Sequence, residues 1–251
     1  MISEYKQSQK HVGIIIQARM ASTRLPGKVM LPLAGKPVLQ HIIERLKQCQ
    51  EVKTIVLATT RRKDDDVLVK TAKDNSIIAF RGSENDVLSR YYYAAKENKL
   101  DVIVRITADT PIIDPDVLDK MLLNFNDLLN VDYYSNVMRR TFPRGLDVEI
   151  ITFSALKRAC MSADKDYQKE HVAPYIREHP EIFMINDYYI LEDNSRYRLC
   201  LDTPEDYELL KIVYERLYPI KPNFRLNDLL RLLKEDESLS LINAHVEQKK
   251  I

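Results

Sequence analysis

Hydrophobic residues fall into short β-branched runs separated by stretches of helical period. Val12, Ile14, Ile15 and Ile16 form the first run; it is too short to cross a membrane and reads as a strand buried on both faces. Val52 to Ala58, Ile77 to Phe80 and Val102 to Ile106 repeat the pattern, with Arg81-Gly82-Ser83 ending the third strand in a turn. Asp147 to Ile151, after a Pro143-Arg144-Gly145 turn, and Tyr197 to Leu201 supply two later strands. Helical spacing begins after Pro37 with Val38, Leu39, Ile42, Ile43 and Leu46. It returns over Asp64–Asn75, Asp86–Asn98, Phe153–Ser162 and Tyr207–Leu217, and from an Asp114 N-cap to Leu129. Leucines 226, 229, 230, 232 and 233 mark a last amphipathic helix, followed by a mobile polar tail. Strands alternating with helices predict an α/β protein with a mostly parallel, three-layer sheet.

The polar residues after the first strand change the picture from fold to chemistry. Between Gln17 and Lys36 the chain places Arg19, Arg24, Lys28 and Lys36 among Ser22, Thr23, Gly27 and Gly35, with no acidic residue. Cations with close-approach glycines suit a polyphosphate. Neither Gly-x-x-x-x-Gly-Lys-Ser/Thr nor Gly-x-Gly-x-x-Gly occurs there, which argues against a P-loop NTPase or a dinucleotide-binding dehydrogenase. Asp109 follows the Val102–Ile106 strand at its carboxyl end, where open α/β sheets gather ligands. The Asp64-Asp65-Asp66 run reads as an acidic first helical turn rather than a metal cluster.

Composition narrows the partners. With 251 residues and 45% hydrophobic content one large domain over 1–251 is expected, and 38 basic against 37 acidic residues leave a net charge of +1. Nothing global therefore favours nucleic acid or an anionic membrane. Cys49, Cys160 and Cys200 lie far apart, as reduced core thiols do. Residues 1–11 are polar without an apolar secretory segment, and no run reaches the ~20 residues of a membrane helix, so a soluble cytoplasmic protein is expected.

Ala18-Arg19, Ser22, Arg24-Leu25-Pro26-Gly27-Lys28 and Gly35-Lys36-Pro37 together resemble the N-terminal signature of the sugar-acid cytidylyltransferases. That group includes the CMP-sialic acid and CMP-KDO synthetases, and the likeness is greatest to its spore-coat polysaccharide branch. The resemblance covers most of residues 12–217. It implies a Rossmann-like nucleotide-diphospho-sugar transferase fold with a mixed sheet, and transfer of CMP from CTP to a 2-keto-3-deoxy sugar acid. Another acceptor, such as a phosphorylated sugar or polyol, is the alternative within that chemistry; a non-catalytic nucleotide-binding module is the alternative outside it.

By the same resemblance Ala18, Arg19, Ser22, Arg24, Lys28, Arg81 and Asp109 meet the nucleotide. Arg144, Asp147, Glu149 and His171 meet the acceptor, and Asp109 and Asp202 hold magnesium. Arg19, Lys28, Asp109 and Asp202 are the catalytic candidates. Residues 133–186 would form the acceptor wall and the contact of a homodimer. Ala108 stands where the family's metal-binding turn has glycine, and Ala173 where a threonine is expected.

Overall fold

The first β-branched run forms strand β1 (Val12–Gln17) at the centre of a seven-stranded sheet in the computed structural model, which describes residues 10–248. A short hairpin, β2 (Pro32–Leu33) and β3 (Lys36–Pro37), follows the basic loop and leads into helix α1 (Val38–Leu46). The next elements are β4 (Thr54–Thr60), α2 (Asp66–Asp74), β5 (Ile78–Gly82), α3 (Val87–Glu97), β6 (Val102–Thr107) and α4 (Pro115–Asp127). The second half adds β7 (Tyr133–Ser135), β8 (Glu149–Thr152), α5 (Phe153–Ser162), α6 (Asp166–His171), α7 (Pro174–Glu178) and β9 (Ile185–Asp187). Helices α8 (Pro204–Leu217), α9 (Leu226–Glu235) and α10 (Ser238–Leu241) close the described chain. None of its helices is long and apolar enough to cross a membrane.

The strands lie in the order β5-β4-β1-β6-β8-β7-β9, with β8 alone antiparallel to its neighbours, so the sheet is mixed but mostly parallel. Ile14 and Ile16 join the core under α1, α4, α8 and α9, while Ile15 joins a second core under α3 and α5. Alternate residues thus feed opposite layers, as the pleat requires. In register, Gln17 pairs with Thr107 on one side and Ala58 on the other. The loops after β1, β4 and β6 therefore leave the sheet along one edge.

Helix starts match their sequence signals. Asp86 caps α3 by accepting from Ser89 N at 2.8 Å, and Asp114 caps α4 by accepting from Asp116 N at 2.9 Å. The Asp64–Asp66 run does open a helix, through a 3-10 turn.

Three expectations need correction. Arg81 and Gly82 belong to β5 rather than ending it, because Thr59 and Thr60 of β4 pair alongside them. Tyr197–Leu201 is extended chain but not a sheet strand; its ladder is a single parallel bridge from Arg198 to Arg144. The polar tail is not free after α9: it forms α10 and packs through buried Leu239 and Asn243. The polar residues 1–9 and the tail beyond 248 lie outside the described residues.

Candidate active site

The basic loop is held at both of its turns. Met20 N donates to the buried carboxylate of Asp65 at 2.8 Å, and that carboxylate also accepts from Thr59 Oγ1 at 3.0 Å and from Thr60 N at 3.2 Å. Burial opposes ionisation of Asp65, but these donors outweigh it and hold the acid below its usual range. Gly27 then adopts φ +67°, a left-handed conformation that glycine takes without a Cβ clash, and opens a one-turn 3-10 helix over Lys28–Met30. Buried Val29 anchors that turn while Lys28 faces the cavity beside it.

Asp109 comes off the end of β6. Ala108 N donates to Gln17 O at 2.9 Å, and Thr107 Oγ1 donates to Asp109 Oδ1 at 2.5 Å. Ala108 is not among the residues with positive φ, so alanine in place of glycine leaves the turn unstrained.

Asp202 arrives by another route. Arg144 N donates to Tyr197 O at 3.0 Å, Leu199 N to Arg144 O at 2.7 Å and Leu201 N to Asp109 O at 2.8 Å. Gly145, at φ +101°, permits this contact, because a Cβ there would lie 2.4 Å from Leu199 O. The extended segment is thereby laid against the Asp109 turn.

The two routes meet at one ammonium. Lys28 Nζ donates to Asp202 Oδ1 at 2.9 Å and to Asp109 Oδ2 at 3.3 Å, and Arg24 pairs with Asp202 Oδ2 at 2.9 Å. Burial alone would lower the Lys28 pKa, but Asp109 and Asp202 outweigh it and raise it. Burial likewise works to raise the Asp202 pKa, and Lys28, Arg24 and Arg198 bring it below the ordinary value.

A point where two carboxylate oxygens already converge on positive charge, with hard oxygen donors only, fits magnesium. Cys200, Asp202 and Asp206 also lie close together, but they fit it poorly. Burial pushes the Cys200 thiol up, and both Asp206 oxygens are occupied by Arg198. A thiol is moreover a soft ligand for so hard a cation.

These groups line an open cavity of about 630 Å³. Its far wall comes from β6 and the second half of the chain. Arg105 on β6 faces Glu149 on β8 directly across the ladder and forms an ion pair with it, while Tyr133 OH donates to Glu149 Oε1 at 2.5 Å. Burial would raise the Glu149 pKa, but the neighbouring guanidinium and hydroxyl hold it down. Arg140 grips Asp147 with a two-pronged contact at 2.6 and 3.2 Å. Arg144 forms no ion pair among the described residues, and burial followed by the nearby Arg140 charge lowers its pKa.

The cavity brings together Ala18, Arg19, Ser22, Arg24, Lys28, Asp109, Arg144, Asp147, Glu149, His171 and Asp202. Arg81 is not among them: it pairs with Asp66 and donates to Arg62 O, because its strand lies at the sheet's outer edge. Arg105, Arg140, Arg177 and Gln248 line the cavity without having been singled out. Arg105 did leave a signal, as the one charge inside an apolar strand run.

A family model described as cytidylyltransferase matches residues 13–246. The spore coat polysaccharide biosynthesis protein SpsF of Bacillus subtilis is 34% identical over 233 residues, covering 88% of this chain and 93% of its own. A cytidylyltransferase from Leptospira borgpetersenii has a solved structure that superposes with TM-score 0.88 at 38% identity, over 96% of this chain and all of that one. A CMP:2-keto-3-deoxy-manno-octonic acid synthetase complexed with CTP shares the fold at TM-score 0.64 and 17% identity, over 82% of this chain and 98% of that one.

Proposed function

Because the chain belongs to the cytidylyltransferase family, we propose that it transfers CMP from CTP to a sugar acid of the 2-keto-3-deoxy type, for a surface polysaccharide or glycan. The observation that carries this reading is Lys28 bonded to both Asp109 and Asp202 where the basic loop meets a wall rich in arginine. The SpsF relative is named for spore coat polysaccharide biosynthesis, which supports the glycan destination, and a relative 31% identical over 45% of this chain is named 3-deoxy-manno-octulosonate cytidylyltransferase, which supports the acceptor class.

In the reaction an acceptor hydroxyl oxygen bonds to the α-phosphorus and gives its proton to solvent, the bond to the bridging oxygen breaks, and pyrophosphate leaves. Charge accumulates on the pyrophosphate oxygens as that bond lengthens. Arg19, Arg24 and Lys28 border the same cavity and would oppose it from a loop whose backbone is fixed by Asp65 and Gly27, with Lys28 passing from the two aspartates to the phosphates. Asp109 and Asp202 would hold magnesium, whose charge when bound offsets repulsion among the phosphate oxygens. Across the cavity Arg144 suits the acceptor carboxylate, since a planar guanidinium can donate two parallel hydrogen bonds. Asp147, Glu149 and His171 shape the rest of that wall.

The same guanidinium suits a phosphate, so a phosphorylated sugar or polyol is the second acceptor class. We extend the proposal to a homodimer through residues 133–186, supported by exposed Ile182 and Met184 beside edge strand β9 and testable by light scattering.

The test is pyrophosphate release from purified protein, with each NTP against a panel of sugar acids and phosphorylated sugars. CTP with a sugar acid should give the fastest release. Equal turnover of UTP or ATP would remove the nucleotide assignment, and release only with phosphorylated acceptors would replace the acid.

A further inference from the structure

Asp202 is held from behind by side chains that reach into the last described residues. Its Oδ1 faces Lys28, and its Oδ2 accepts from Arg198 Nη2 at 3.3 Å and forms an ion pair with Arg24. Arg198 is fixed by a fork onto Asp206, Nε to Oδ1 at 2.8 Å and Nη2 to Oδ2 at 2.9 Å. Asp206 is fully buried and also accepts from Asp202 N and Thr203 N, each at 3.0 Å. Backbone and side chain of Asp202 are thus both referenced to one Arg198–Asp206 unit. A buried ion pair needs further hydrogen bonds to be stable, and the C-terminal segment supplies them. Asn243 Nδ2 donates to Asp206 Oδ1 at 2.8 Å and to Arg198 O at 2.9 Å, and Gln248 Oε1 accepts from Arg198 Nη1 at 2.8 Å.

We propose that Asn243 and Gln248 are positioning residues that, acting through Arg198 and Asp206, keep one Asp202 oxygen turned toward Asp109. The chain from Gln248 to Asp202 runs through direct contacts, and Gln248 also borders the cavity. Without Gln248, the outer prong of the guanidinium loses its acceptor. Without Asn243, Asp206 loses a buried donor. Either change loosens the side chain that fills Asp202 Oδ2 and frees the carboxylate to rotate away from the Lys28 side.

This inference rests on Asp202 being a cation ligand, so the experiment tests both. Manganese binding in the presence of CTP and without acceptor, followed by the electron paramagnetic resonance of free Mn²⁺, needs no turnover. Asp202→Asn should abolish tight binding. Gln248→Ala, at an exposed residue, should keep the wild-type melting temperature while weakening Mn²⁺ by about two- to tenfold, the range expected from one lost hydrogen bond. Asn243→Ala should weaken it further, and Asn243→Asp, which puts a carboxylate beside Asp206, should not rescue it. Wild-type Mn²⁺ affinity in both Gln248→Ala and Asn243→Ala, with Asp202→Asn still impaired, would overturn the positioning role alone. Unchanged affinity in Asp202→Asn would overturn the cation site and the positioning role with it.

Discussion

On the wall that follows β1 and β6, one ammonium bridges two carboxylates and two guanidiniums also reach one of them; on the wall built from β6, β7 and β8, each carboxylate has a single guanidinium of its own. The first arrangement shares its cations, so Lys28 can pass to a ligand while Asp202 keeps Arg24 and Arg198. The second is neutralised pair by pair: Arg105 with Glu149 deep in the sheet, Arg140 with Asp147 at its rim. On the proposed function the first wall exchanges charge during the reaction while the second holds a fixed shape around Arg144, which forms no ion pair among the described residues.

The largest effect should come from neutralising the shared side. Asp109→Asn and Asp202→Asn should each fold normally, since asparagine caps and hydrogen-bonds nearly as aspartate does, yet lose turnover by orders of magnitude in pyrophosphate release. Full activity in either would remove that carboxylate from the centre.

On the paired side the same kind of change should read as stability. Arg105→Met strands the buried Glu149 carboxylate and should cost about 3–5 kcal/mol in urea unfolding. A loss confined to turnover would show that this wall, too, exchanges charge.

Arg19→Ala and Lys28→Ala should lower kcat/KM for CTP by about 1.5–3 kcal/mol each, the worth of a hydrogen bond to a charged group. Their effect on the acceptor KM should be small. Equal effects on both substrates would blur the division between the walls.

The smallest effect concerns pH. The folded-state pKa of Asp202 is depressed, so its contribution to stability is present above its unfolded value of about 3.9 and fades as pH falls through the folded one. Lys28 is raised, so its contribution is present below about 10.4 and fades as pH rises through the folded value. The melting-temperature difference between wild type and Asp202→Asn should thus be flat between these limits and shrink outside them. A difference that changes near neutrality would point to another titrating group.

The first wall was largely legible in the sequence, because its chemistry sits in one loop directly after a β-branched strand. Asp109 was legible for the same reason. Asp202 follows a misleading signal: Tyr197, Leu199 and Leu201 alternate like a strand, but they dock through Arg144 and the Asp109 turn instead of joining the sheet. Arg81 misled because its turn-like neighbours hid a strand that points it toward Asp66. Asp206 lies in the acidic first turn of α8, and a first-turn signal cannot reveal that the same carboxylate also holds Arg198. Asn243 and Gln248 left no periodic trace, since their roles depend on contacts distant in the chain.

On the proposed function the carboxylate pair joined by Lys28 is the cation site. Anomalous diffraction from crystals grown with CTP and Mn²⁺ tests it directly. The prediction is a manganese peak bonded to one oxygen each of Asp109 and Asp202, with Lys28 Nζ moved onto the phosphates. Manganese bound elsewhere, with Lys28 still joining the two aspartates beneath a bound triphosphate, would contradict it.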